Sequence, residues 1–190
     1  MPTEIQEIKE LLKGLVVAQK ETDAKFRETD AKFKETDAKF KETDRRINKA
    51  FELFEGQWGK LIESLVEGDL IRLLRERGID VHETSMRRKG SHKGENFEFD
   101  IIAHNGREIV IVEVKTTLRV EDVKHFIQKL KKAKEWMQEY RDYNIYGAVA
   151  YLRDQSGSAA LAEKEQLFVI RATGRSASIV NNQEFVPKAF

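Results

Sequence analysis

Apolar residues return with a seven-residue period over roughly the first third of the chain. Setting Phe26 at position a puts Ile5, Leu12, Gln19, Phe26, Phe33, Phe40, Ile47, Phe54 and Leu61 in one column. Position d then holds Ile8, Leu15, Thr22, Thr29, Thr36, Thr43 and Ala50. One register held that long predicts a left-handed coiled coil of ~85 Å. No proline falls between Pro2 and Pro187 to break it, and Thr3 with Gln6 forms a capping box at its start. Gly56 and Gly59, on either side of Trp58, mark a junction. The expected division is a coiled-coil helix, 1–56, and a second domain, 57–190.

Beyond the junction the period changes. Leu61, Leu65, Leu70, Leu73 and Leu74 predict a helix over about 60–77, stopped by Gly78. Ile79 to Met86 reads as a strand, and Arg87 to Gly94 (RRKGSHKG) as a basic loop. Phe97 to Thr116, FEFDIIAHNGREIVIVEVKT, reads as a hairpin turning on Asn105-Gly106. Val120 to about Asp142 is an amphipathic helix with Val123, Phe126, Ile127, Leu130, Trp136 and Met137 inward. A buried strand over 145–152, a short helix over 159–165 and a strand over 167–172 complete the pattern.

A two-residue turn at Asn105-Gly106 sets the hairpin register. His104 pairs with Arg107, Ile102 faces Ile109, Asp100 faces Ile111 and Glu98 faces Glu113. Strict alternation then gathers Asp100, Glu113 and Lys115 on one surface, Asp100 diagonal to Glu113. Phe97, Phe99, Ile101, Val110, Val112 and Val114 collect on the other as a core face. Glu98 lands beside Glu113, where two carboxylates disfavour joint ionisation unless a cation sits between them. A Glu-x-Lys pair on a strand is commonly an exposed salt bridge, so the partner-strand acid is what raises its interest.

Composition narrows the chemistry. The chain has 190 residues and no cysteine, which excludes disulfides, thiolate catalysis and cysteine-bound zinc and fits a reducing cytoplasm. No apolar run is long enough to span a membrane, and the first residues do not read as a signal peptide. The net charge is only +1, so any nucleic-acid surface must be local. There is no phosphate-cradling glycine loop, no G-x-S-x-G and no H-E-x-x-H.

Asp100 followed by Glu113-Val114-Lys115 resembles the PD-(D/E)xK nuclease superfamily, the restriction-endonuclease-like fold, over roughly residues 60–153. Phe99 stands where the pattern has proline. The resemblance implies a core of helix, three strands, helix, strand behind the long coiled-coil helix. It implies that Asp100 and Glu113 bind Mg²⁺, with Mn²⁺ able to substitute, and that Lys115 orients the attacking water. Hard oxygen ligands suit that ion, which keeps several waters. Superfamily members often carry an acid on the first helix, here Glu67 with Glu63 as competitor. A polar residue on the later helix often reaches the site, here Gln128 or His125. The chain is also similar to an uncharacterised prokaryotic family that joins ETD-type heptads to such a domain.

DNA is the expected partner. Arg87, Arg88, Lys89 and Lys93 would contact phosphates from the basic loop, together with Lys124 and Gln128 from the helix. His92 in that loop reads as a phosphate contact or as a residue without a role, rather than as a metal ligand. Lys124, Lys129, Lys131, Lys132 and Lys134 extend the basic surface in a run free of acids. In the coil, Lys25, Lys32, Lys39 and Arg46 occupy g while Asp23, Asp30, Asp37 and Asp44 occupy e, so a parallel homo-oligomer brings opposite charges together. The expected activity is metal-dependent hydrolysis of a DNA phosphodiester. The rivals are a DNA-binding or scaffolding protein with a silent nuclease-like site, and an assembly coil with a passenger domain.

Overall fold

The structure, a computed structural model, describes residues 4–190 and all their side chains except those of Ile5, Phe51, Glu52 and Glu55. Thr3 of the expected capping box lies outside the described residues. The chain divides into two units, residues 1–53 and 54–190. The first helix, α1 (Glu4–Arg75), supplies the described part of the first unit and residues 54–75 of the second. Gly56 and Gly59 therefore lie inside a helix and not at a break. Each costs only about 1 kcal/mol relative to alanine, which a long helix absorbs.

In the first unit every described side chain is exposed. Ion pairs one turn apart brace the surface, among them Lys32–Glu28 at 2.6 Å, Lys34–Asp30 at 2.8 Å and Lys39–Glu35 at 2.6 Å. The threonines of position d turn their hydroxyls inward along the backbone. Thr22, Thr29, Thr36 and Thr43 each donate to the carbonyl four residues earlier, at 2.8–2.9 Å. In the neighbouring column of position a, Phe26, Phe33 and Phe40 are 71, 71 and 66 % exposed.

The second unit is a six-stranded sheet in the order β1-β2-β3-β4-β5-β6, helices on both faces. Its strands are β1 (Glu83–His92), β2 (Glu95–His104), β3 (Glu108–Leu118), β4 (Asn144–Asp154), β5 (Phe168–Ala172) and β6 (Ala177–Ile179). Helix α2 (Val120–Trp136) leads into a 3-10 turn (Gln138–Tyr140), and α3 (Ser158–Lys164) separates β4 from β5. The first three strands are antiparallel, β3-β4-β5 are parallel, and β6 returns antiparallel. The crossover through α2 is what makes β3 and β4 parallel, and a parallel centre must be covered on both faces. This is the α/β order expected, helix, three strands, helix, strand, with β6 added in the tail.

Two cores result. Ile62, Val66, Leu70 and Leu74 of α1 cover one face, against Ile101, Val110, Val112, Ala148 and Ile170. Val123, Phe126, Leu130 and Ala133 of α2 cover the other, against Ile102, Ile109, Ile111, Val149 and Val169. The hairpin thus has no solvated face: the surface assigned to the acids is also core until Glu113. Among the described residues no helix is long and apolar enough to cross a membrane.

Candidate active site

Three departures from the expected local structure build the site. The first is the turn. His104 pairs with Ile109, not Arg107, so the β2–β3 connection is four residues, Asn105 to Glu108. The Asn105 side chain accounts for the extra length, since its Oδ1 accepts the N–H groups of Arg107 at 3.0 Å and Glu108 at 2.8 Å. The register slips by two residues, which preserves the faces but sets Ile102 opposite Ile111 and Val112 opposite Ile101. Continued one step, it would put Asp100 opposite Glu113 rather than diagonal to it.

The second departure is in β1. The basic stretch is strand, not loop, and the two-residue turn is Lys93-Gly94, with φ of 49° and 83°. Both values are positive, as a type I′ turn requires. Edge strand β1 carries almost no apolar residues, so no alternation could reveal it.

The third is a kink at the acid. β1 pairs with β2 on either side, Met86 with Ile101 and Arg88 with Phe99, but the ladder skips Arg87 and Asp100. Arg87 has φ of 55°, rare for a residue with a Cβ. Alternation breaks here. Phe97 and Phe99 leave the face of Ile101 and join the α2 core, where Trp136 stacks on Phe97 at 5.3 Å. The β2–β3 ladder ends at Ile101–Val112, and Asp100 Oδ2 accepts the Val114 N–H at 2.7 Å in place of a backbone partner.

Glu113 continues the α2 face of β3 and is 9 % exposed at its side chain. Its Oε1 accepts from Lys115 Nζ at 2.8 Å and its Oε2 from Lys129 Nζ at 2.6 Å. Burial pushes the Asp100 carboxyl up to about 6, and the Glu113 charge adds to that, against the Val114 N–H and Lys115. Burial alone would also raise Glu113, but Lys129 and Lys115 outweigh it and hold the carboxyl below its ordinary value. Lys115 is held above its ordinary value because Glu113 and Asp100 together overcome burial. Asp122 adds to this from the first turn of α2, where it also accepts the Arg119 N–H at 2.9 Å.

The helix acids divide. Glu63 receives a fork from Arg87, Nε at 2.9 Å and Nη2 at 3.2 Å, and its charge is felt at Asp100. Glu67 accepts the Thr84 hydroxyl at 2.6 Å. Glu98 is turned out to Lys89 at 3.0 Å, not toward Glu113. The later helix reaches the site through Lys129, whereas Gln128 and His125 are exposed. Lys129 was readable as the residue three after buried Phe126, on the edge of the inward stripe, but its place in a lysine run masked it.

The basic residues have acid partners from distant segments, which the absence of acids within the stretch concealed. Arg88 pairs with Glu139, Lys93 with Glu135 at 3.1 Å, and Lys132 with Glu95 at 2.8 Å. His92 Nε2 stands 3.9 Å from Glu135. The exposed arginine and lysine pairs are weak in water, so phosphates can compete for those groups. Lys124 is exposed and in no ion pair among the described residues.

A buried carboxyl raised by its neighbour's charge, with that neighbour held ionised by two lysines, makes a pair of oxygen ligands that suits a hard cation. Among the described residues no three His, Cys, Asp or Glu side chains gather as a cage. Asp100 and Glu113 are two oxygen ligands, a number that could hold a hard cation whose remaining positions are filled by water and phosphate.

The sequence model of a family described as archaeal Holliday junction resolvase matches residues 60–166. Among solved structures, a repair endonuclease from Pyrococcus abyssi aligns with a TM-score of 0.40 and 22% identity, over 58% of this chain and 46% of that one. The structure of an EndoMS–dsDNA complex aligns with a TM-score of 0.37 and 19% identity, over 62% of this chain and 45% of that one. The chain spans about half the length of these structures. No curated protein matches it. The family match takes in more than half of the 190 residues, from the helix that carries Glu63 and Glu67 to the end of α3. On that match the chain belongs to the archaeal Holliday junction resolvase family, within the PD-(D/E)xK nuclease superfamily.

Proposed function

We propose that this protein is a Mg²⁺-dependent DNA endonuclease, assembled into a parallel homo-oligomer by its heptad helix. The observation that carries the reading is the meeting of Asp100, Glu113 and Lys115 where β2 leaves β3. Bound there, Mg²⁺ would lower the pKa of a water and offset charge on the phosphate under attack. Asp100 is fixed by the Val114 N–H, so its free oxygen is aimed without loss of side-chain freedom on binding. Lys115, on the strand beside Glu113, holds the water for in-line attack. Glu63 keeps Arg87 against the kink that frees Asp100 from the ladder. Glu67 assists from the next turn of α1. Arg88, Lys89, Lys93, Lys124 and Gln128 supply the backbone contacts. The family's name makes a four-way DNA junction the first substrate to try, and two copies of the site in one oligomer suit paired cuts.

Lys115→Ala is expected to keep fold and DNA affinity while cleavage falls by about 10²-fold or more. Cleavage at the wild-type rate in Mg²⁺ would remove Lys115 from the mechanism. A second reading, a nuclease fold that binds DNA without cutting, draws on Glu113 being already neutralised by two ammonium groups. Mg²⁺ or Mn²⁺ that raises thermal stability favours the enzyme, because a built site binds only the folded state.

A further inference from the structure

Lys129 differs from its neighbours in α2. Its side chain is 14 % exposed, its Nζ lies 2.6 Å from Glu113 Oε2, and it sits 5.1 Å from the centre of the Phe99 ring. Lys124 and Lys131, on the same helix, are exposed. Lys115 takes the other oxygen of Glu113 at 2.8 Å. Both oxygens of the proposed metal ligand are therefore engaged by ammonium groups. With Asp100 and Glu113 ionised, the two lysines already balance the two acids. A divalent cation added to that set leaves an excess of positive charge in a half-buried place, offset only in part by Asp122 on the first turn of α2, and unpaired charge there is costly. A DNA phosphate arriving with the metal supplies negative charge and a new partner for an ammonium.

We infer that Lys129 is a positioning residue that holds Glu113 in the cation's stead, so that metal binds weakly until a DNA phosphate draws the ammonium away. The inference rests on the metal reading proposed above. It makes metal and DNA binding reciprocally coupled, each tightening the other by the same factor. A simple strut would behave in the opposite way: without it Glu113 would lose a tether and metal affinity would fall.

The test is Mn²⁺ titrated into the full-length protein and followed by calorimetry. Lys129→Met is expected to bind Mn²⁺ at least about tenfold more tightly than wild type without DNA, and Lys129→Arg to remain weak. Unchanged or weaker binding by folded Lys129→Met overturns the inference. If that variant fails to fold, wild type provides a second test that the inference must also pass. Its Mn²⁺ affinity should rise at least about tenfold with a short duplex whose phosphorothioate linkages resist hydrolysis. Equal affinity with and without the duplex overturns it. Asp100→Asn separates the two levels. If Mn²⁺ binding survives that change, or no form binds Mn²⁺, the metal reading falls and this inference with it. If binding depends on Asp100 while Lys129→Met is no tighter, only the role of Lys129 falls.

Discussion

A carboxyl that burial and a neighbouring acid push toward neutrality makes folding depend on pH, and Asp100 is such a group. Its folded pKa of about 6 lies above the ordinary 3.8. Below the ordinary value both folded and unfolded forms hold the proton, and this group has no effect. As pH rises through the interval, the unfolded chain releases its proton first, so stability falls, by at most about 3 kcal/mol. In chelator, denaturant unfolding from pH 4 to 7 should show a steeper loss for wild type than for Asp100→Asn. Identical slopes would place Asp100 in solvent. Alternation predicted Asp100, Glu113 and Lys115 on one surface, and their charges do act on one another although the alternation itself breaks at Asp100. It could not show the kink at Arg87 or the ammonium of Lys129, because both depend on partners more than a dozen residues away.

At the scale of elements, the inward stripes of α1 and α2 were legible because burial on one side imposes a period, and β2 and β3 because they are runs of β-branched and aromatic residues. β1 and the Asn105 turn were not. An edge strand of charged residues has no burial to record, and an Asn side chain lengthens a turn through its own hydrogen bonds. Close packing leaves one further mark. A Cβ added to Gly147 of β4 would meet Leu130 of α2 and come within 2.7 Å of Leu167 Cδ2. Gly147 pairs with Ile111 two residues before Glu113, so the helix that brings Lys129 to the site rests on this glycine. Gly147→Ala should cost about 1–3 kcal/mol by chemical denaturation. A change within experimental error would mean that α2 can lift off the sheet freely.

At the scale of the whole molecule, the heptad segment and the nuclease-family segment obey different rules. In the first, threonine hydroxyls bonded to their own helix leave the d layer free of unsatisfied donors, so a second helix can cover the phenylalanine column without burying a lone hydroxyl. The natural chain has no cysteine, so Phe33→Cys would carry the only thiol. Mild oxidation of that variant should yield a covalent dimer, since a parallel pair brings position 33 to position 33. Its absence at concentrations where the protein sediments as an oligomer would exclude the parallel arrangement.

As proposed, two acids and a lysine at the β2–β3 junction make a metal-dependent phosphodiesterase. The most direct measurement is cleavage of labelled single-stranded, duplex, supercoiled and four-way-junction DNA by the wild-type protein, with Mg²⁺ and with chelator. Cuts in at least one substrate should appear with Mg²⁺ and vanish with chelator. Cleavage that persists in chelator, or intact DNA throughout with both Mg²⁺ and Mn²⁺, would contradict the proposal.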